Sequence, residues 1–140
     1  MINDLPDAPG TYALVFRSDR ERRVPVGALG DVGLTRGYYI YVGSAFGPGG
    51  LRTRVGRHAR IEKKKHWHID YVRPHLCLIE AWYTSDPNKL EHRWAGVLER
   101  KLSVAWPHFG ASDCRCSGHL FHAARRPIDL LPDGCRCSVP

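Results

Sequence analysis

The stretch "YYIYVGSAFGPGGLRTRVGRHAR", residues 38–60, passes from tyrosines through glycines to arginines, and each part dictates a different local structure. Alternating aromatic and β-branched residues in "GYYIYVG" (37–43) predict a strand with Tyr39 and Tyr41 on one face and Tyr38, Ile40 and Val42 on the other. "GPGG" (47–50) predicts a loop. From Leu51 to about Glu62 the chain has helical character, with Leu51 and Val55 on one side. Arg54 and His58, four residues apart, share a face of that helix.

Towards the N-terminus, "GTYALVF" (10–16) reads as a strand, "RSDRER" as a turn, and "VPVGAL" (24–29) as a second strand kept to a sheet edge by Pro25. The first half is thus expected to build a small antiparallel sheet. Towards the C-terminus, "HWHIDYV" (66–72) alternates, which predicts an extended segment with His66, His68 and Asp70 projecting together. "LCLIEAWYT" (76–84) predicts a further strand with Cys77 in the core. Asp86 and Pro87 signal a helix start, and Leu90, Trp94, Val97, Leu98 and Leu102 then recur at helical spacing. Beyond Trp106 the chain reads as irregular.

The chain has 140 residues, 43% of them hydrophobic and 25% charged, the composition of one globular domain. The expected fold is α+β, a mainly antiparallel sheet of about three to four strands flanked by helices, with a cysteine-rich segment from about residue 107. No apolar run is long enough for a bilayer, and "MINDLPDAPG" lacks the pattern of a secretory signal, so a cytoplasmic location with reduced cysteines is expected. The formal net charge is +7. Much of it falls on Arg52, Arg54, Arg57, Arg60, Lys63, Lys64 and Lys65, opposed over this stretch by Glu62 and Asp70. Such a concentration favours a polyanionic partner, because neutralised phosphates release counterions.

"GTY" (10–12) and "YVG" (41–43) resemble the paired tripeptides of the GIY-YIG nuclease superfamily, and "LRTRVGRH" (51–58) resembles its following helix. The longer stretches "GYYIYVGSAFGPGGLRTRVGRHAR", "KKKHWHIDYV" and "FGASDCRCSGHLFH" are similar to one subfamily, the DUF123 type, over about Gly10 to His122. The resemblance implies a GIY-YIG-like fold and a metal-dependent endonuclease acting on DNA, with RNA as an alternative substrate. It implies that Tyr12 and Tyr41 are active-site tyrosines, Arg54 the catalytic arginine, His58 the neighbouring helix histidine and Glu91 the metal-binding carboxylate. Glu99 lies in the same segment, "KLEHRWAGVLERKL", and is the alternative ligand.

The chemistry of phosphodiester hydrolysis has a use for each of these groups. The guanidinium of Arg54 can hold phosphate with paired N–H donors, a fork that lysine lacks. Glu91 can anchor Mg2+ or another divalent cation, which otherwise keeps several waters. Tyrosine titrates near pH 10, so Tyr41 needs nearby cations to lower its pKa; the arginine cluster offers that environment, and Tyr41 is expected to act as the base or to orient water. Tyr12 would hydrogen-bond phosphate or water, and His58 would relay a proton or hold phosphate. "GPGG" would leave helix N–H groups for phosphate or be a simple turn. Arg52, Arg57, Arg60, Lys63, Lys64, Lys65, His66 and His68 are candidates for nucleic-acid contact. Cys114, Cys116, Cys135 and Cys137 form two C-x-C pairs, and four thiolates could hold a structural Zn2+. Two other readings remain at this point: a nucleic-acid-binding module without turnover, and a zinc-stabilised interaction protein.

Overall fold

The apolar run at residues 10–16 becomes the middle of a sheet covered on both faces. In the computed structural model, which describes residues 4–111, 116, 118–131 and 134–138, every residue of this strand except Arg17 is buried. In chain order the elements are β1 (Gly10–Ser18), β2 (Arg22–Pro25), β3 (Asp31–Leu34), β4 (Gly37–Ala45), α1 (Gly50–Ala59), α2 (His68–Val72), β5 (Cys77–Thr84), α3 (Glu91–Lys101), β6 (Ser103–Val104), β7 (Leu120–Ala123) and β8 (Cys135–Ser138). Single 3-10 turns follow β2 and α2.

The fold is α+β. Its main sheet has six antiparallel strands in the order β6-β7-β4-β1-β5-β8, and β2 and β3 form a separate two-stranded ribbon. β1 pairs with β4 along its whole length, which sets Tyr12 opposite Gly43 and Leu14 opposite Tyr41. Side chains alternate across a strand, so Tyr12, Leu14, Phe16, Tyr39 and Tyr41 all enter one core. There they meet Leu51 and Val55 of α1, Ile69 and Val72 of α2, and the valines of the ribbon. Ala13, Val15, Ile40 and Val42 point the other way, against Trp94, Ala95 and Leu98 of α3. The molecule is a helix-and-ribbon layer, a sheet and a second helix layer.

Several elements differ from expectation. About three to four strands were expected, and among the described residues the main sheet has six. β7 and β8 lie in the stretch that reads as irregular, because short strands recruited by distant partners carry little periodicity of their own. The strand expected at 24–29 is β2 followed by a 3-10 turn. It pairs only with β3, which leaves the edge position that Pro25 needs. Residues 68–72 are helical, not extended: the Asp70 carboxylate accepts the backbone N–H groups of His66 and Trp67 and closes a turn that alternation over so few residues cannot exclude. Asp86 takes the N–H of Asn88 in a local turn, and α3 starts at Glu91. Cys77 is exposed, while Leu76 and Leu78 on either side are buried. Among the described residues no helix is long and apolar enough to cross a membrane.

Candidate active site

Tyr12, Tyr41, Arg54 and Glu91, drawn from β1, β4, α1 and α3, line one cleft of about 300 Å³. Ser44, Trp67 and His68 also border it, as do His66, His92 and Gly110. The strand pairing explains how the tyrosines come together. Tyr12 sits across from Gly43, and its ring lies over the space a side chain there would fill. A Cβ at position 43 would stand 2.5 Å from Tyr12 Cζ and closer still to its hydroxyl, so glycine is the only residue compatible with this placement.

Arg54 is held from two sides. Its Nη1 donates to the Ser44 carbonyl at 2.9 Å, and its guanidinium carbon lies 4.6 Å from the centre of the Trp67 indole. This cation–π contact steadies the guanidinium. Glu91 is held as firmly: Ser44 Oγ donates to Oε1 at 2.6 Å, and His119 Nδ1 lies 2.8 Å from Oε2. Burial works to raise the pKa of Glu91, but the bonds from His119 and Ser44 and the charge of the nearby histidines outweigh it, so the carboxyl is held below its ordinary value. It is ionised at neutral pH. Glu99, the alternative ligand, is exposed and does not border the cleft.

The family model described as a domain of unknown function, DUF123, matches residues 11–133. The chain belongs to the DUF123 family. Searches among curated proteins and among solved structures returned no match.

In this DUF123 chain the tyrosines do not meet the requirement for a base. Burial pushes the Tyr41 hydroxyl well above its ordinary pKa, with Tyr12, Glu91 and Asp70 adding to the shift and Arg54 opposing it. Tyr12 is raised chiefly by burial as well, against the pull of Arg54. The expectation that arginines make Tyr41 a base is therefore corrected: desolvation outweighs one partly exposed cation, and both hydroxyls stay protonated.

His58 is also recast. It is 1% exposed and lies behind Tyr12, with Nε2 2.8 Å from the hydroxyl. Its Nδ1 faces Asp70 Oδ1 at 4.0 Å. A proton on Nδ1 is attracted by that carboxylate, so Nε2 carries the lone pair and accepts from Tyr12. Burial lowers the His58 pKa to about 3, although Asp70 pulls it up, so the ring is neutral at physiological pH and positions Tyr12 instead of relaying protons.

The basic cluster divides. Arg57 makes paired bonds to Asp70 at 2.9 and 3.0 Å, and Lys63, only 5% exposed, donates to the carbonyls of Arg57, His58 and Arg60 at the end of α1. Both cations are engaged in bonds within the fold. Arg52, Arg60, Lys64, Lys65 and His66 are exposed, and Arg52 also donates to the Leu5 carbonyl. His66 and His68 border the cleft, but Asp70 turns inward. The Gly110 N–H donates to His68 Nδ1 at 2.8 Å, which leaves the proton of the neutral ring on Nε2. At the start of α1 the N–H groups of Leu51 and Arg52 already donate to the carbonyls of Ala8 and Pro6, so the glycine loop does not leave these two donors for phosphate. Cys114 and the side chains of Cys135 and Cys137 lie outside the described residues, and the four-thiolate zinc expectation lies there with them.

Ser44, His119 and Gly110 were missed by sequence reasoning. His119 lies within "FGASDCRCSGHLFH", a motif whose presence was legible but whose partner on α3 was not.

The buried pair His58 and Asp70 sets an acid limit on stability. His58 takes up its proton near pH 6.5 when unfolded but near pH 3 when folded. Asp70, raised by burial but lowered more by Arg57 and the two backbone N–H groups, falls from 3.8 to about 2. In both windows the unfolded chain binds more protons, so stability declines as pH falls. The free energy of unfolding is expected to drop by about 1.4 kcal/mol per pH unit below about pH 6, and more steeply below about pH 4, where Asp70 joins. Urea midpoints followed by tryptophan fluorescence would check this. His58→Gln should flatten the upper part of the curve, and a flat wild-type profile between pH 7 and 4.5 would overturn the assignment.

Proposed function

We propose that the cleft hydrolyses phosphodiester bonds in DNA with the help of a divalent cation, as a GIY-YIG-type endonuclease does. The observation that carries this reading is the convergence of Tyr12, Tyr41, Arg54 and Glu91, from four separate elements, on one cleft. An ionised glutamate beside a rigidly held arginine suits a reaction in which negative charge grows on phosphoryl oxygens.

Each residue then has a distinct task. Arg54 grips the phosphoryl oxygens with its paired N–H donors. Tyr12, donating to His58, keeps its oxygen available to accept a hydrogen bond from water or Arg54. Tyr41, protonated, orients the attacking water, and His68 adds a neutral donor from Nε2. Glu91 fits a hard cation such as Mg2+: each oxygen makes one bond and retains a lone pair for a ligand. When bound, the ion supplies positive charge for the leaving oxygen and eases proton loss from the attacking water. On this reading the exposed cations Arg60, Lys64 and Lys65, with His66 at the cleft edge, are the groups that would contact the phosphate backbone.

The test is incubation of the protein with single- and double-stranded DNA, and with RNA, with and without Mg2+. Cleavage of DNA by wild type is expected, with Glu91→Gln at least about 100-fold slower in Mg2+. DNA binding by wild type without cleavage under any metal would replace the hydrolase with a binding module, and neither binding nor cleavage would remove nucleic acid as the substrate.

A further inference from the structure

We propose that His92, Cys116 and His119 form a binding site for Zn2+, distinct from the carboxylate site and an alternative to the four-thiolate arrangement of the C-x-C pairs, with which it shares Cys116. One ligating atom from each of the three lies within 4.8 Å of the other two, close enough to share a single ion. Two imidazoles and one thiolate match the preferences of Zn2+, whereas Mg2+ favours oxygen ligands and leaves thiolate aside.

The local sequence supports the geometry. Cys116 and His119 are separated by two residues, a spacing that lets one short loop supply two ligands. His92 comes from the first turn of α3, immediately after Glu91. The 2.8 Å contact from His119 Nδ1 to Glu91 Oε2 supplies the outer support usual for a ligating histidine: Nδ1–H donates to the carboxylate and the lone pair goes to Nε2. Three protein ligands leave one tetrahedral position for water or an oxygen of a bound molecule.

An ion here fastens the segment before β7 to the start of α3. It does so beside the cleft, since His92 borders it. The site does not depend on the hydrolase reading, because it would bind metal whether or not the cleft turns over DNA.

The full-length chain, stripped with chelator and titrated with Zn2+ alone by calorimetry, should bind one ion, and Co2+ in its place should give the charge-transfer band of a thiolate ligand. Cys116→Ser should abolish that band. His92→Ala, a change at an exposed position that should leave folding intact, should weaken Zn2+ binding by more than about tenfold. Cys114→Ser and Cys135→Ser should leave both readouts unchanged. The site is disproved by absence of one-to-one Zn2+ binding, by binding indifferent to both Cys116→Ser and His92→Ala, or by loss of binding in the Cys114 or Cys135 variants, which would point to the thiolate pairs instead.

Discussion

Asp70→Ala is expected to lower the free energy of unfolding by about 3–5 kcal/mol, the range for removing one partner of a buried ion pair. The Asp70 side chain has no exposure and accepts four hydrogen bonds, two from Arg57 and two from the backbone of His66 and Trp67. It also lies 3.9 Å from the Lys63 ammonium. Its loss strands the Arg57 fork and opens the turn that begins α2. Arg57→Ala should cost less, because the carboxylate keeps its two backbone donors. Chemical denaturation of both variants and of the double variant would measure the coupling. A loss below about 1 kcal/mol for Asp70→Ala would show that this network is not a stabilising joint.

Arg54→Ala is expected, on the proposed reading, to reduce DNA cleavage at saturating substrate by about 10²–10³-fold, the loss typical of a donor to developing oxyanion charge. Because Arg54 would touch the reacting phosphate on that reading, most of the change should fall on kcat and less on DNA affinity. Arg54→Lys should recover little, since an ammonium does not supply the paired donors of the guanidinium that lies over Trp67. The arginine is partly exposed, so the thermal midpoint should shift little, and that control separates chemistry from folding. Cleavage by Arg54→Ala at the wild-type rate would remove Arg54 from the mechanism.

Much of this fold is legible in the sequence where periodicity acts over several residues. The alternation at 37–43 assigns Tyr39 and Tyr41 to one core and Ile40 and Val42 to the other, as the structure has them. The helical recurrence after Leu90 likewise buries Trp94 and Leu98. Short elements were not legible. Five residues of α2 hold little more than one helical turn, too few for a recurrence to show, and its start is set by a side chain, Asp70, that looks like surface until its partner Arg57 is placed beside it.

The candidate site was legible in its residue types and not in its electrostatics. Tyr41 and His58 read as groups poised to titrate, yet the same packing that gathers them takes them out of water and holds both neutral. Burial of a specific hydroxyl or imidazole is a tertiary property, and no local pattern encodes it.

The diagonal placement of Tyr12 and Tyr41 on neighbouring strands has one more consequence. Their positions obey the same odd-even rule that sorts leucine and phenylalanine into one core, so a slip of β1 by one residue would carry Tyr12, Leu14 and Phe16 together to the opposite face, away from Tyr41. Mutations that keep the interior filled thereby keep the aromatic pair in alignment. Chemistry and solidity are inherited as a single trait of two strands.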